Sequence, residues 1–187
     1  MRFTHKGFPM LNEIIDFWFN ELEAKQWWQK DDALDCLIKN RFGEQHDQAI
    51  ASELSHWRET AFGSLAEIII LDQFSRNIYR NKPESFAYDS MALALAQCAI
   101  VKGFDIKLTV EQRVFLYMPF MHSESKLIHQ QAVSLFSDVG IQSNIDFEYK
   151  HKAIIDKFGR YPHRNDVLGR ESTTAELEFL KQPSSSF

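Results

Sequence analysis

Cysteine, and the motifs built on it, are scarce in this sequence. Its 187 residues include two cysteines, Cys36 and Cys98, which do not form a CxxC pair. Both lie inside helical patterns, so we expect buried free thiols rather than a redox or zinc site. No run of about 18 apolar residues occurs, and no apolar N-terminal segment of the signal-peptide type. These absences predict a cytoplasmic protein with no membrane partner.

The sequence also lacks the motifs of common nucleotide-binding and catalytic folds. It contains no GxGxxG, GxxxxGK[S/T], HExxH or GxSxG segment. Nucleotide folds and redox cofactors are therefore unsupported, and we predict no cofactor. The formal net charge of −5 argues against a nucleic-acid partner, because proteins that bind nucleic acids usually carry a basic surface.

Aromatic residues and helical periodicity are plentiful. Sixteen phenylalanines and four tryptophans predict a large aromatic core, and the length suits one domain. The apolar run from Leu65 to Phe74 has no second strand to pair with, so we interpret it as a buried central helix. Apolar residues recur at steps of three and four, the pattern of a buried helix face, as in Leu11, Ile14, Ile15, Trp18 and Leu22.

Capping residues, glycines and prolines predict the helix boundaries. Two capping boxes, Thr109 with Gln112 and Thr173 with Glu176, mark helix starts. Further starts are predicted at Pro83 and at Ser123 or Ser125. Helix ends are predicted at Gly43, Gly103, Pro119, Gly140 and Gly159. The sequence therefore predicts an all-α fold of about eight helices stacked as antiparallel hairpins, in one domain over residues 1–180 with a disordered tail over residues 181–187.

One loop near the C-terminus concentrates polar residues. Residues 159–170, GRYPHRNDVLGR, contain Arg160, His163, Arg164, Asn165 and Arg170. Arginine binds carboxylate or phosphate groups in a bidentate manner, and the loop leads into the N-terminus of a predicted helix, which favours an anion. The composition therefore indicates an anion-binding corner. The alternative is that the arginines pair with carboxylates of the helices and only hold the loop in place.

Two other segments carry candidate residues. Asp72 follows the buried apolar run and can pair with Arg76, since the two are four residues apart on a helix. His122 and Glu124 follow the predicted break at Pro119 and can form a general acid–base pair. The alternative in both cases is an internal ion pair or a hydrogen-bonded structural histidine. The spacing of these residues matches no standard zinc motif, so we predict no metal site.

Several blocks of the sequence resemble the domain-of-unknown-function 924 family. These blocks are IIDFWF, LDQFSRNIYR, RVFLYMPFMHSE and HKAIIDKFGRYPHRNDVLGRESTTAELEFL, and the resemblance covers about Leu11 to Leu180. It implies a tetratricopeptide-like helical fold, and the family's activity is unassigned. Ser75 stands where proline is usual, and the stretch from Trp27 to Asp35 is shorter than the family pattern. The family's polar positions are matched by Asp72, Gln73, Arg76, Asn77, Arg80, His122, Glu124, His151, Arg160, His163, Arg164, Asn165 and Arg170.

The candidate residues support two functions of different classes. One is a site for an anionic small molecule, with hydrolase-like acid–base chemistry. The other is a tetratricopeptide-like module that binds a peptide carboxylate through the same arginines. A third outcome, in which all these polar groups pair internally, stays open. The predicted catalytic residues are His163, His122, Glu124 and Asp72. The predicted ligand-binding residues are Arg76, Asn77, Arg80, Arg160, Arg164, Asn165 and Arg170.

Overall fold

The structure is a computed structural model, and it describes residues 9–183 and residue 185. Every regular element in this part of the chain is helical, which confirms the predicted all-α fold. The α-helices are α1 (Pro9–Asp16), α2 (Asp32–Ile50), α3 (Ala61–Ile69), α4 (Ser75–Ile78), α5 (Asp89–Val101), α6 (Val110–Met121), α7 (Lys126–Val139), α8 (Gln142–Phe158) and α9 (Thr174–Leu180).

Two early predictions concern residues at the ends of the chain. The single domain over residues 1–180 and the disordered tail over residues 181–187 stay predictions. Residues 1–8, 184, 186 and 187 lie outside the described part of the chain. Within that part, no helix is long and apolar enough to cross a bilayer.

The apolar run from Leu65 to Phe74 lies in a central helical segment, as predicted. This segment consists of α3, a π-helical turn (Ile70–Phe74) and α4, which follow one another without a break. The side chains from Ile68 to Leu71 have no solvent exposure. Because α3 packs against α1, α5 and α6, the segment is surrounded by other helices and forms the centre of the hydrophobic core.

A second π-helical turn, Phe17–Glu21, follows α1 and packs against the central one. The ring centroid of Phe74 lies 6.2 Å from that of Phe17 and 5.6 Å from that of Trp18. Phe42 of α2 stacks on Phe74 at 5.2 Å. A π-turn accommodates an extra residue and changes the rotation of the helix that follows, and such turns are frequent at functional sites. The central π-turn contains Asp72, so it sets the direction of a candidate side chain.

The second half of the chain forms a stack of consecutive helices. Each of α5, α6 and α7 packs against the helix that follows it. The connections are residues 122–125 and 140–141 for the last two pairs, and connections this short make packed helices antiparallel neighbours. Left-handed Gly140 and Gly159 end α7 and α8 as predicted, and both predicted capping boxes begin helices. The tetratricopeptide-like character of the stack stays a prediction.

Two predicted helix ends are wrong. Helix α2 continues through Gly43 to Ile50, because a glycine costs a helix interior only about 1 kcal/mol and the neighbouring Phe42 is fully buried in the core. Helix α6 continues past Pro119 to Met121. A proline in the last turn removes a single backbone hydrogen bond, and the packing of α6 against α7 outweighs that loss.

Two further expectations need correction. Pro83 begins a short 3₁₀ turn (Pro83–Ser85), and α5 itself begins at Asp89. Cys36 and Cys98 are free thiols but are exposed rather than buried. In each helix the residue two positions before the cysteine, Leu34 or Ala96, faces the core, and the cysteine lies on the outer face. A small residue on an amphipathic helix can occupy either side of the apolar stripe.

The two helical glycines allow a matched test of packing. An alanine Cβ at position 63 would lie 2.0 Å from the backbone oxygen of Trp57, whereas one at position 43 would meet no atom within 4 Å. We expect Gly63→Ala to lower the free energy of unfolding by about 1–3 kcal/mol. We expect Gly43→Ala to raise it by up to about 1 kcal/mol, because alanine favours the helix. Urea denaturation measures both, and equal effects would contradict the described packing.

Candidate functional site

A cavity of about 1010 Å³ opens between α6, α8 and the C-terminal loop, and we call it the α6–α8 cavity. The 3₁₀ turn Ala24–Trp27 and the residues after it close one end. The structure brings six of the predicted site residues to its wall, and they come from three separate segments of the chain. These residues are Arg76, Asn77, Arg80, His122, His163 and Arg164.

Asp72 lies behind the wall of the cavity and is fully buried. Its Oδ1 atom is 2.7 Å from Nδ1 of His122 and 3.2 Å from Nη1 of Arg76. Its Oδ2 atom accepts a hydrogen bond from Gln73 Nε2. Burial alone would raise the pKa of this carboxyl, but Arg76, His122 and Gln73 together lower it to about 2. Asp72 is therefore an anion that three neighbours compensate.

His122 lies at the end of α6, between Asp72 and the open cavity. Burial and the nearby Arg76 lower the pKa of its imidazole, although Asp72 acts in the opposite direction. The neutral ring donates its Nδ1 hydrogen to Asp72, so Nε2 carries the lone pair. Among the described residues, none forms a hydrogen bond to Nε2. A neutral histidine that a carboxylate orients in this way is suited to accept a proton from a bound molecule.

Asp89, at the start of α5, joins two arginines at the cavity wall. Its Oδ2 atom accepts hydrogen bonds from Arg76 Nη2 at 3.0 Å and from Arg164 Nη1 at 3.1 Å. Arg164 also donates to the backbone oxygen of His122 at 3.1 Å. These bonds connect the C-terminal loop to both α5 and the end of α6. They fix Arg164 beside the Asp72–His122 pair.

The guanidinium of Arg164 is enclosed by rings as well as by hydrogen bonds. Its Cζ atom lies 4.6 Å from the ring centroid of Phe86 and 4.5 Å from that of Tyr161, distances that permit cation–π attraction. Burial lowers the pKa of this guanidinium, against the effect of Asp89. Its Nε atom is buried and has no hydrogen-bond partner within the described chain. The group is therefore held tightly but not fully satisfied.

Two more histidines line the cavity beside Tyr161. The ring centroids of His163 and His151 lie 5.5 Å and 5.7 Å from that of Tyr161. Burial lowers the pKa of His163 to about 4 and that of His151 to about 3. Both imidazoles are therefore neutral near pH 7. Nδ1 of His163 is buried and lacks a hydrogen-bond partner in the described residues.

Four predicted site residues lie away from the cavity and hold the loop together. Arg170 donates to both carboxylate oxygens of Glu124, at 2.6 and 2.9 Å, and its Nε donates to Asn165. Arg160 likewise binds both oxygens of Glu176 of α9. The three arginines of the loop thus each have a carboxylate partner, which is the pairing that the alternative interpretation describes. Glu124, Arg160, Asn165 and Arg170 do not reach the α6–α8 cavity.

Asn77 and Arg80 line the cavity but also have an acidic partner. Asp35 of α2 accepts hydrogen bonds from Asn77 Nδ2 and from Nε and Nη2 of Arg80. Asp35 and Asp89 are not among the predicted site residues, since 45 and 75 residues separate them from Arg80 and Arg164. His151 and Tyr161 are not among the predicted site residues either. The family's polar position at His151 was the one available signal for it.

The described residues contain no group of three or more histidine, cysteine, aspartate or glutamate side chains placed to hold a metal ion. Although three histidines line the cavity, their imidazoles pair with Asp72 or pack on Tyr161 rather than converge on one point. The arrangement is that of an oriented base beside guanidinium groups.

The sequence model of a family described as bacterial protein of unknown function (DUF924) matches residues 14–184. The chain belongs to this family. It is also similar to a solved structure, that of a protein of unknown function, ATU0120, from Agrobacterium tumefaciens. The two are 36% identical over 93% of this chain and 98% of that chain, with a TM-score of 0.89. No curated protein matches the chain. The family resemblance of the sequence blocks is thus confirmed, and the helical fold is shared.

The buried histidines make stability depend on pH in a defined direction. Unfolded histidine has a pKa near 6.5, whereas folded His151 and His163 bind protons only near pH 3 and 4. Below about pH 6.5 the unfolded chain therefore takes up more protons, and the free energy of unfolding falls as pH falls. We expect His163→Gln to reduce the slope of the free energy of unfolding against pH. The reduction is at most about 1.4 kcal/mol per pH unit, which corresponds to the uptake of one proton.

Urea denaturation between about pH 7 and 4.5 measures this slope. The range lies above the pH at which Asp72 titrates, so that carboxyl contributes little. The exposed His56, in the 3₁₀ turn Ser55–Glu59, offers a matched control, because His56→Gln also removes a histidine but not a buried one. A slope that is unchanged in His163→Gln would contradict the burial of a neutral imidazole at this position.

The Glu124–Arg170 pair permits a test of the loop's attachment. Both side chains are about one quarter exposed, and the pair is bidentate. In a double-mutant cycle of Glu124→Gln and Arg170→Met, we expect a coupling free energy of about 1–3 kcal/mol. The exposed Glu178–Lys181 pair is the control, and we expect a smaller coupling there because solvent screens it. Equal couplings would mean that the loop is not held by this pair.

Proposed function

We propose that the α6–α8 cavity binds an anionic small molecule and that His122 acts on it as a general base. The observation that carries this proposal is the Asp72–His122 pair in the cavity wall, which orients a neutral imidazole and leaves its Nε2 atom without a hydrogen-bond partner among the described residues. A purely structural histidine normally has partners for both ring nitrogens when it is as enclosed as this one.

The charge of the cavity wall supports an anion as the ligand. Among the described residues, five cationic side chains and one carboxylate, Glu111, line the cavity. Asp35, Asp72 and Asp89 hold the arginines from behind, so these guanidinium groups have fixed orientations before a ligand arrives. Fixed donors lose little freedom on binding, and that favours affinity. The cationic residues are Lys30, Arg76, Arg80, Lys150 and Arg164.

The proposed chemistry is hydrolytic acid–base catalysis. His122 Nε2 takes a proton from a water molecule, and the water oxygen forms a bond to an electrophilic carbon or phosphorus of the ligand. The bond to the leaving group breaks, and the proton on His122 passes to that group. Asp72 keeps the imidazole in the required tautomer and stabilises its cation. Arg76 and Arg164 stabilise the negative charge that develops on the ligand.

The other predicted catalytic residues receive different roles in this proposal. His163 lies in the cavity wall, where its neutral imidazole contacts the ligand without transferring a proton. Glu124 binds Arg170 through both oxygens, so it positions the loop rather than transferring protons. Arg160, Asn165 and Arg170 belong to the same framework and do not contact the ligand.

A peptide with a free carboxylate is the second candidate ligand. The cavity volume of about 1010 Å³ reaches the upper end of the range for small-molecule sites, about 300–1,000 Å³. Two lining residues, Trp28 and Phe147, are large apolar side chains that remain exposed. A groove with exposed aromatic residues also suits the end of a peptide.

Thermal unfolding with a panel of phosphorylated and carboxylated metabolites tests the proposal. A ligand at a hundred times its dissociation constant stabilises the folded state by about 2.7 kcal/mol. We expect such stabilisation in the wild type and its loss in Arg164→Gln. Arg160→Gln is the matched control, since Arg160 is an arginine of the same loop that also pairs with a carboxylate but does not line the cavity.

Arg80→Gln provides a second cavity variant in case Arg164→Gln unfolds, because Arg80 is more exposed. The proposal is wrong if no anion of the panel stabilises the wild type. It is also wrong if Arg160→Gln abolishes the stabilisation as fully as the cavity variants do. Stabilisation by carboxylate-terminated peptides alone would instead assign the site to the second candidate.

A further inference from the structure

Aromatic rings form one end of the α6–α8 cavity, and anion binding alone does not account for them. The ring of Trp28 lies parallel to that of Phe115, with 5.8 Å between centroids and 11° between planes. Trp27 meets both rings edge to face, with its centroid 5.0 Å from that of Phe115 and 6.3 Å from that of Trp28. These three residues, which we call the aromatic corner, all line the cavity.

The aromatic corner is held in place from behind. Trp27 Nε1 donates a hydrogen bond to the backbone oxygen of Trp18 at 2.9 Å. The ring of Trp18 is buried and meets Phe115 edge to face, at 5.5 Å and 88°. The positions of Trp27 and Phe115 are therefore fixed by the core rather than by solvent. Such a surface exists before a ligand binds.

Trp28 contrasts with this supporting layer, because 57% of its surface is exposed. A tryptophan can bury about 150–250 Å² of mostly apolar surface, so leaving it exposed forfeits a large stabilisation. Exposed large apolar side chains that line a concave site are typical of ligand contacts. A planar ring of a ligand can recover that surface by packing beside Trp28 within the corner.

The same cavity also carries the cationic wall. Lys30 follows Trp28 by two residues and lines the cavity with it. An inorganic anion would contact the cations and leave the aromatic corner open, and it would fill little of 1010 Å³. An uncharged aromatic molecule would leave the guanidinium groups without an anion. A molecule that carries both a negative charge and an aromatic ring can contact the cationic wall and the aromatic corner together.

We infer that the ligand is a small aromatic anion, whose planar ring packs in the aromatic corner while its phosphate or carboxylate group faces Arg76 and Arg164. This inference rests on the proposed function, because it assigns the body of the molecule whose charged group that function assigns. It identifies Trp28 as a specificity-determining residue of the site.

Matched probes separate the ring from the charge. Phenyl phosphate and phenylacetate carry both features, methyl phosphate and acetate carry the charge alone, and phenol carries the ring alone. Quenching of intrinsic tryptophan fluorescence and thermal stabilisation report binding of each probe to the full chain. We expect the aromatic anions to bind at least tenfold more tightly than the small anions, and phenol to bind more weakly than the aromatic anions.

Substitution of Trp28 gives the decisive comparison. We expect Trp28→Ala to weaken binding of the aromatic anions by about tenfold, equivalent to about 1.4 kcal/mol, and to leave binding of methyl phosphate and acetate unchanged. Tyr149→Ala is the control, because Tyr149 is a similarly exposed aromatic residue of α8 that does not line the cavity. Trp28 is more than half exposed, and Phe115 beneath it keeps its contacts with Trp18 and Trp27, so we expect Trp28→Ala to fold.

The outcomes distinguish this inference from the proposal beneath it. Equal binding of phenyl and methyl phosphate, with no effect of Trp28→Ala, would overturn the inference and leave the anion site standing. Absence of binding by every anionic probe would overturn both. Much tighter binding of a peptide that ends in phenylalanine than of phenylacetate would overturn the inference in favour of a peptide ligand.

Discussion

A carboxylate that is sealed from water must be compensated by its neighbours, and Asp72 has three. The cost of an uncompensated buried charge is several kcal/mol, so this requirement constrains the surrounding structure. Arg76 meets it from the same helical segment, and His122 meets it from the end of α6. Because Arg76 also binds Asp89, which binds Arg164, the requirement extends through α5 to the C-terminal loop. One buried charge thereby links four distant segments.

The loop illustrates how such linked pairs produce a shaped surface. Glu124 and Glu176 each hold one loop arginine at the sides, which leaves Arg164 and His163 to enter the cavity between them. The ion pairs that hold the loop in place therefore also position Arg164 and His163 in the cavity wall. In the proposed function the two interpretations of the arginines are complementary, because all three pair with carboxylates and Arg164 in addition lines the cavity.

Local signals predicted much of this fold, and distant pairings escaped prediction. The capping boxes and the left-handed glycines after α7 and α8 act within a few residues, so the sequence alone located those helix boundaries. The helix ends predicted at Gly43 and Pro119 were wrong because tertiary packing overrides local helix propensity. The polar segments that line the cavity were recognisable from composition and family resemblance. Their partners Asp35 and Asp89 were not, because nothing in a single sequence reports contact across 45 or 75 residues.

The π-turn between α3 and α4 has a consequence for how this site can vary. It divides one helical segment into two parts whose side-chain faces are out of phase. The first part is buried on nearly all sides, whereas the second directs Arg76 and Asn77 towards the cavity. A change in the turn would rotate the second part relative to the first, and it would also disturb the packing of Phe74 on Phe42. The aromatic packing around Phe74 therefore also fixes the direction in which Arg76 and Asn77 leave the helix, so the core and the cavity wall share one determinant.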